Sequence, residues 1–163
     1  MILTYLLLGD HLTGKTSSVN SLGIKTQNDL ARLYHTRIND QVINIWDTQE
    51  ATTVDLPQRV ILRPVNICLI FCNLNRVETC DRISYWYNLI QKYRPGLQIV
   101  IVALEDRETD RSRANQISVL RWCTDTIKGD LPYFKISHRS EYQVMYHQLT
   151  EYLLEFLHKT ENK

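Results

Sequence analysis

Short, nearly continuous apolar runs recur along the chain. Three of them cover residues 2–8, 66–72 and 98–104, and a weaker fourth covers residues 131–137. Runs of this length without alternation are typical of strands buried on both faces, as in a parallel sheet covered by helices. The pattern therefore predicts four strands of such a sheet.

Helical periodicity occupies the segments that follow the later strands. Apolar residues recur on one face over residues 77–93 and again over residues 141–157. Residues 111–129 are predicted to form a further helix, which Gly129 ends because glycine readily adopts the left-handed backbone of a helix C-terminus. The prediction is therefore that strands and helices alternate along the second half of the chain.

Residues 30–47 have a different pattern. Two strand-like runs flank the turn residues Asn39 and Asp40, and apolar and polar residues alternate in the middle of the second run. Alternation and an Asn-Asp turn are typical of a β-hairpin at a sheet edge. Strand, helix, hairpin and three further strand–helix units predict an α/β three-layer sandwich with a mostly parallel sheet.

Length and charge limit the possible classes of protein. The 163 residues suffice for one domain with a sizeable core, predicted to span residues 1–163. The 19 basic and 18 acidic residues give a net charge of +1, so no strong field attracts nucleic acid or an anionic membrane. No apolar run approaches the ~20 residues that span a bilayer. The first residues lack the basic region and cleavage site of a signal peptide, and we interpret them as the first strand.

The cysteines indicate a reducing compartment. Cys68, Cys72, Cys80 and Cys123 contain no C-x-x-C pair of the kind found in zinc sites or redox motifs. Cys68 and Cys72 are four residues apart in a predicted strand, so both side chains point to one face of it. We interpret the four as reduced thiols of a cytoplasmic protein.

The strongest chemical signal follows the first predicted strand. Gly9, four residues and then Gly14-Lys15-Thr16 have the spacing of a phosphate-binding loop. Glycines allow backbone N–H groups to turn towards phosphate oxygens, a lysine adds positive charge, and a threonine hydroxyl suits Mg²⁺. The alternative is a strand–helix turn without a ligand. The predicted phosphate-binding residues are Gly9, Asp10, His11, Leu12, Thr13, Gly14, Lys15, Thr16 and Ser17.

A second signal ends the hairpin. Asp47 follows an apolar run in the sequence NIWDTQE, and an acidic residue at such a strand end holds Mg²⁺ through water in P-loop proteins. The alternative role for Asp47 is to cap the segment that begins near Thr48.

Together these residues resemble the small GTPases of the Ras superfamily, nearest to the Rab branch. LLLGDHLTGKTS is similar to the family's LLLIGDSGVGKTS, and NIWDTQE is similar to QIWDTAGQE with two residues missing. NICLIFCNLNRVETCDRISYWYNLIQKY matches the register of the family's GIIVVYDVTDRESFxxVxxWLxEIxxY. The resemblance covers nearly the full length. It implies a six-stranded P-loop NTPase G-domain with Mg²⁺ and with GTP or GDP as ligand.

The resemblance implies a role for each matching position. Lys15 takes the β- and γ-phosphate contact, Thr16 the Mg²⁺ contact and Ser17 the α-phosphate contact. Asp47 takes the water-mediated Mg²⁺ contact. Leu12 stands where the family usually has glycine, so its side chain either crowds the phosphates or requires a different local backbone.

The chain departs from the family around the γ-phosphate. Gln49 is the formal counterpart of the catalytic glutamine, but the two missing residues prevent its backbone from following the same path. Because hydrolysis needs accurate positioning of water, we expect slow or absent GTP hydrolysis. The alternative for Gln49 is a surface polar residue. Ser21, with Thr26 as its rival, is the candidate for the family's threonine that closes on Mg²⁺, and a solvated loop residue is the alternative for both.

Base recognition also departs from the family pattern. The family's NKxD motif is replaced by VALEDRE, in which Asp106 would accept hydrogen bonds from guanine N1 and N2 after a shift of one residue. Ser137 and His138, in ISHRS, stand where the family contacts the base carbonyl through its backbone. The alternative for Asp106 is a loop carboxylate in the charged run of residues 105–113. Guanine specificity therefore stays open.

The resemblance implies a nucleotide-dependent switch in membrane trafficking or signalling. Its partners would be a guanine nucleotide and effector or regulator proteins, without nucleic acid. The last residues, FLHKTENK, contain no cysteine for prenylation, so membrane attachment would need a C-terminal lipid anchor outside this sequence. The alternatives are a pseudo-GTPase scaffold that binds protein partners without nucleotide and an ATP-using P-loop kinase or ATPase.

Overall fold

The computed structural model describes residues 1–24, 32–48, 63–127 and 133–163. Within these ranges, six strands form one sheet: β1 (Ile2–Gly9), β2 (Arg32–Ile38), β3 (Gln41–Asp47), β4 (Ile67–Asn73), β5 (Gln98–Leu104) and β6 (Tyr133–Ile136). The helices within the described ranges are α1 (Lys15–Asn20), α2 (Val77–Asp81), α3 (Ile83–Tyr93), α4 (Asp110–Thr126) and α5 (Glu141–Glu161). None of these helices is both long enough and apolar enough to cross a membrane.

The strand order is β2-β3-β1-β4-β5-β6. Among these six described strands, β2 and β3 pair antiparallel, and every other neighbouring pair is parallel. The hairpin turn has positive φ at Asn39 (50°) and Asp40 (62°), as tight two-residue hairpins require. The predicted edge hairpin and mostly parallel sheet are confirmed.

Helices cover both faces of the sheet. Leu3, Tyr5 and Leu7 of β1 pack on the face that carries α1 and α5. Leu6 and Leu8 pack on the opposite face, against residues of α3 and α4. Because neighbouring strand residues point to opposite faces, a strand between two helical layers is buried at almost every position and is therefore mostly apolar. This burial explains the continuous apolar run of β1.

Two helices differ from the prediction. Residues 77–93 were predicted to form one helix, but the structure contains α2 and α3, which meet at Arg82. The first is hydrogen-bonded to the end of β4 through Thr79, whereas the second packs on the sheet through buried apolar residues. Helix α4 ends at Thr126, and the predicted terminator Gly129 lies outside the described residues.

Buried hydroxyl groups link α5 to β1 and α1. The Tyr5 hydroxyl lies 2.7 Å from Thr150 Oγ1, which in turn donates to the Tyr146 carbonyl. The Tyr146 hydroxyl lies 2.9 Å from Ser18 Oγ. Burial raises the pKa of both tyrosines above its usual value. These polar pairs fix α5 against the core beside α1.

Candidate functional site

The candidate site lies at the carboxyl edge of the sheet. Strand β1 has β3 on one side and β4 on the other, and α1 and α3 lie on opposite faces. In open α/β sheets, ligands bind outside the carboxyl ends of strands at such a change in strand order. Residues 9–17, called here the glycine loop, run from the last residue of β1 into the first turn of α1 at this position.

Both glycines of the loop are required by their surroundings. Gly9 has φ 142°, and a Cβ there would lie 2.5 Å from the carbonyl oxygen of Phe71. Gly14 has φ 96°, and a Cβ there would overlap the hydroxyl of Tyr142. A side chain is excluded at each position both by backbone conformation and by space. The tight turn predicted from the sequence is therefore present.

Leu12 adopts a backbone conformation that glycine favours. Its φ is 61°, its side chain is 51% exposed, and its carbonyl oxygen accepts a hydrogen bond of 3.1 Å from Asn73 Nδ2. A left-handed conformation costs an L-residue about 1 kcal/mol. The leucine thus takes the left-handed geometry with its side chain largely in solvent.

Lys15 lies inside the glycine loop. Its side chain is 5% exposed, and Nζ donates to the carbonyl oxygens of Gly9 (2.6 Å) and Asp10 (2.8 Å). A longer contact of 3.5 Å joins Nζ to Thr13 Oγ1, which itself donates to the Asp10 carbonyl. The loop therefore holds a desolvated positive charge, an arrangement that favours an anion beside it.

Thr16 and Asp47 meet beside this loop. Thr16 Oγ1 donates to Asp47 Oδ2 at 3.2 Å, and Asp47 is fully buried at the end of β3. Thr48 anchors this strand end, since its hydroxyl donates to the Leu7 carbonyl at 2.6 Å. The segment that Asp47 could instead cap lies outside the described residues.

The Thr16–Asp47 pair fits Mg²⁺ chemically. A hydroxyl and a carboxylate oxygen at hydrogen-bond distance are ligands that this hard cation prefers. Within the described ranges, no group of three His, Cys, Asp or Glu side chains could hold a metal ion. Mg²⁺ at this position would therefore need further oxygens from water or a phosphate ligand.

The other predicted metal and phosphate residues are placed as follows. Ser17 is exposed on α1. Ser21 lies at the opposite end of α1 from Thr16, about 7.5 Å along the helix axis. Its hydroxyl donates to the Ser18 carbonyl, so the structure does not bring Ser21 to the Thr16–Asp47 pair. Thr26 and Gln49 lie outside the described residues.

Two neighbouring residues of the glycine loop, Asp10 and His11, have different surroundings: the first is hydrogen-bonded to other side chains and the second is exposed. The Asp10 carboxylate accepts hydrogen bonds from Arg82 Nε (3.3 Å) and Trp86 Nε1 (3.1 Å). The Arg82 guanidinium also lies 4.1 Å from the centre of the Tyr85 ring. Asp10 therefore ties the glycine loop to α3, while His11 is exposed.

The predicted base contacts have partners within the chain. Asp106 Oδ2 accepts from Asn73 Nδ2 at 3.1 Å. The backbone N–H groups of Ser137 and His138 both donate to the Glu141 carboxylate, at 3.3 and 3.1 Å. Strands β5 and β6 place these residues at the same edge of the sheet as the glycine loop. A base bound through them would have to share or replace these bonds.

Sequence reasoning missed Asn73, which connects the two parts of the site. Its side-chain amide donates both to Leu12 in the glycine loop and to Asp106 after β5. Asn75 adds hydrogen bonds to the backbone of Asp106 and Arg107. The signal in the sequence was a pair of asparagines, Asn73 and Asn75, at the end of the apolar run of residues 66–72.

Tyr142 was also missed, because it looked like a core residue of α5. Its hydroxyl adjoins Gly14, is buried, and has no hydrogen-bond partner among the described residues. Burial raises the pKa of Tyr142 to about 12; the Asp106 carboxylate adds to this increase and Arg139 opposes it. A neutral phenol therefore lies between the glycine loop and the candidate base contacts.

No protein-family model matches this chain, and no curated protein matches it. The residues of the site and their geometry are therefore the basis for inferring function. The most specific of them are Lys15, Thr16 and Asp47.

Proposed function

We propose that this chain is an atypical, Rab-like small GTP-binding protein that holds a guanine nucleotide and Mg²⁺ at the glycine loop. Hydrolysis of GTP is slow or absent, and the bound state is read by effector or regulator proteins in membrane trafficking or signalling. The observation that supports this most is the buried Lys15 ammonium within a two-glycine turn, next to the Thr16–Asp47 pair.

Each residue of the loop contributes to binding. The Lys15 ammonium, held by two loop carbonyls, stabilises phosphate oxygens by charge. The Thr16 hydroxyl and the Asp47 carboxylate would hold Mg²⁺, directly and through water respectively. Bound Mg²⁺ neutralises phosphate charge and bridges phosphate oxygens. Gly9 and Gly14 keep the backbone close enough to surround the anion.

Slow hydrolysis follows from the shortened NIWDTQE segment. Gln49 directly follows Thr48, whose hydroxyl is fixed to β1. Because Thr48 is held in this way, no further residue separates it from Gln49, the glutamine that would orient the attacking water. Because positioning dominates the rate of phosphoryl transfer, a misplaced glutamine reduces turnover strongly.

A pseudo-GTPase scaffold is the second candidate, and one observation favours it. The Ser137 and His138 amides already bond Glu141, and Asp106 bonds Asn73. A protein that uses these groups internally could bind partners through a fixed domain without nucleotide. Occupancy by nucleotide distinguishes the two candidates.

The first experiment identifies the ligand of freshly purified protein by denaturing it and separating the released small molecules by chromatography. Guanine nucleotide supports the proposal, and adenine nucleotide supports the ATP-using alternative. If nothing is released, titration with fluorescent GTP, GDP and ATP analogues in the presence of Mg²⁺ follows. No fluorescence change with any of them overturns nucleotide binding and leaves the scaffold.

A variant test assigns binding to the loop. Lys15→Ala should weaken nucleotide affinity by about 10- to 100-fold, since a charge-assisted hydrogen bond is lost. Lys159→Ala, which removes an exposed lysine from the last turn of α5, is the matched control and should keep full affinity. Thermal melting of both variants excludes unfolding as the cause. Equal affinity in both would place the nucleotide elsewhere.

A further inference from the structure

All four cysteines lie on the α3–α4 side of the sheet, and one of them reaches solvent. Cys72 of β4 and Cys123 of α4 are buried, whereas Cys80 of α2 is partly exposed. Cys80 lines an open cavity of about 270 Å³ between α2 and α4, together with Asp81, Ser118 and Trp122. A small polar oxidant can therefore reach Cys80 directly.

Cys72 and Cys80 contact each other. Both pack in one apolar cluster, and Cys80 Sγ donates at 3.4 Å to the carbonyl of Asn73, the residue next to Cys72. The hydrogen bond from Cys72 lowers the pKa of Cys80 below its usual value, while the same bond and burial raise the pKa of Cys72. The accessible sulfur of the pair is thus the more readily ionised one.

We propose that Cys80 and Cys72 form a peroxide-sensitive pair that closes to a disulfide bond. The Cys80 thiolate attacks one oxygen of hydrogen peroxide, the O–O bond breaks, and Cys80 becomes a sulfenic acid while hydroxide leaves as water. The Cys72 sulfur then attacks the Cys80 sulfur, the S–O bond breaks, and a second water leaves with the Cys72 proton. Two thiols are oxidised and one peroxide is reduced to two waters.

The disulfide acts on the residue that connects the two parts of the site. Cys72 precedes Asn73 on β4, and Cys80 follows Thr79, which bonds the Asn73 backbone. Once oxidised, Cys80 has no proton to donate to the Asn73 carbonyl. Asn73 supports Leu12 in the glycine loop through its side chain. Oxidation therefore removes one of three hydrogen bonds to the Asn73 carbonyl, beside those from Arg76 N–H (2.9 Å) and Thr79 Oγ1 (3.1 Å), and its effect on nucleotide binding at the glycine loop rests on the proposed function.

The bond itself is tested on the whole chain without nucleotide. Trypsin cuts after Arg76 and Arg82, so Cys72 and Cys80 fall on different peptides. After treatment with hydrogen peroxide, mass spectrometry should find these two peptides joined, and dithiothreitol should separate them. Cys68 shares the peptide of Cys72, so Cys68→Ser must retain the link.

Variants make the result unambiguous. Cys80→Ser should abolish the link, and Cys123→Ser should retain it. In Cys72→Ala, the Cys80 sulfenic acid should persist and be trapped by dimedone. A link from Cys80 to Cys123, or peroxide that leaves Cys80 unmodified in the folded protein, overturns the proposal.

A second measurement tests the effect on the site. Oxidation should raise the dissociation constant for guanine nucleotide by about 3- to 10-fold, because one supporting hydrogen bond is lost. Dithiothreitol should restore the affinity, and Cys80→Ser should be insensitive to peroxide. An unchanged affinity in protein that carries the mapped disulfide overturns the regulatory effect. If reduced protein binds no nucleotide, the proposed function fails, while peptide mapping still decides the disulfide.

Discussion

The glycine loop and the β5–β6 end lie along one edge of the sheet but are built differently. In the glycine loop, the groups that matter come from consecutive residues, and Lys15 bonds carbonyls five and six residues away. At the β5–β6 end, Asp106 depends on Asn73, which is 33 residues away in the chain. The glycine loop is therefore held by contacts between residues close in sequence, whereas the β5–β6 end is held by contacts between residues far apart in sequence.

This difference bears on how well each region supports the ligand contact proposed for it. The backbone turn of the glycine loop fixes a cation and a hydroxyl within a short segment. At the β5–β6 end, Glu141 and Asn73 already bond the groups that the sequence predicts as base contacts. Phosphate binding is therefore better supported than base recognition.

The largest effect is expected from adding a methyl group where the glycine loop begins. Gly9→Ala should lower the free energy of unfolding by more than about 3 kcal/mol, because a Cβ meets the Phe71 carbonyl at 2.5 Å and φ is 142°. Gly96→Ala is the matched control, since φ is 84° but nothing lies within 4 Å. It should cost about 1 kcal/mol. Urea denaturation measures both, and equal losses would contradict the close contact.

The next effect tests Tyr142, which lies between the two regions. Its pKa is raised from 10.0 to about 12, so above pH 10 the unfolded state loses this proton before the folded state does. Stability is unaffected by this group below pH 10 and falls by about 2 to 3 kcal/mol as pH rises towards 12. Tyr142→Phe should remove this part of the alkaline loss. Tyr152→Phe, on the same helix, is the control, and identical pH profiles for both would contradict the assignment.

A smaller effect on the free energy of unfolding is expected from Asn73, whose side chain bonds both regions, and it can be compared with that of Asn75, whose side chain bonds one. Asn73→Ala should cost about 2 kcal/mol, because a buried amide that bonds both regions is removed. Hydrogen exchange should accelerate both in the glycine loop and at residues 104–107. Asn75→Ala, which removes bonds only to Asp106 and Arg107, should affect the second region alone. Faster exchange confined to one region in Asn73→Ala would show that the two are independent.

The smallest effect has the opposite sign. Leu12→Gly should stabilise the fold by up to about 1 kcal/mol, because glycine relieves the left-handed φ of 61° and the lost side chain is largely exposed. Leu12→Ala keeps the backbone strain and should show no gain. A loss of stability in Leu12→Gly would show that the leucine side chain packs on the loop.

The sheet was largely predictable because burial on two faces imposes continuous apolar runs. The hairpin and the glycine loop were predictable for a different reason, because the residues that specify each of them are adjacent in the sequence. The break at Arg82 could not be read from periodicity, because it depends on hydrogen bonds from α2 to the end of β4.

The partners of the site residues were not predictable from local pattern. Leu12 and Asn73 are 61 residues apart, so only the fold shows that they bond. Glu141 follows Ser137 closely, yet its carboxylate could equally have faced solvent at the start of a helix. Tyr142 has the spacing of a core residue, and its position beside Gly14 depends on how α5 crosses the sheet.

The paired hydroxyls beneath α5 have a mechanical consequence. Tyr5 with Thr150, and Tyr146 with Ser18, are fully buried pairs that join this helix to two other elements. A shift of α5 by one residue, about 1.5 Å along its axis, would separate both pairs in a place that water does not reach. Apolar contacts alone would allow a long helix to pack at several positions along its axis, whereas these hydroxyl pairs are satisfied at one position. The two pairs therefore fix the position of α5 along its own axis.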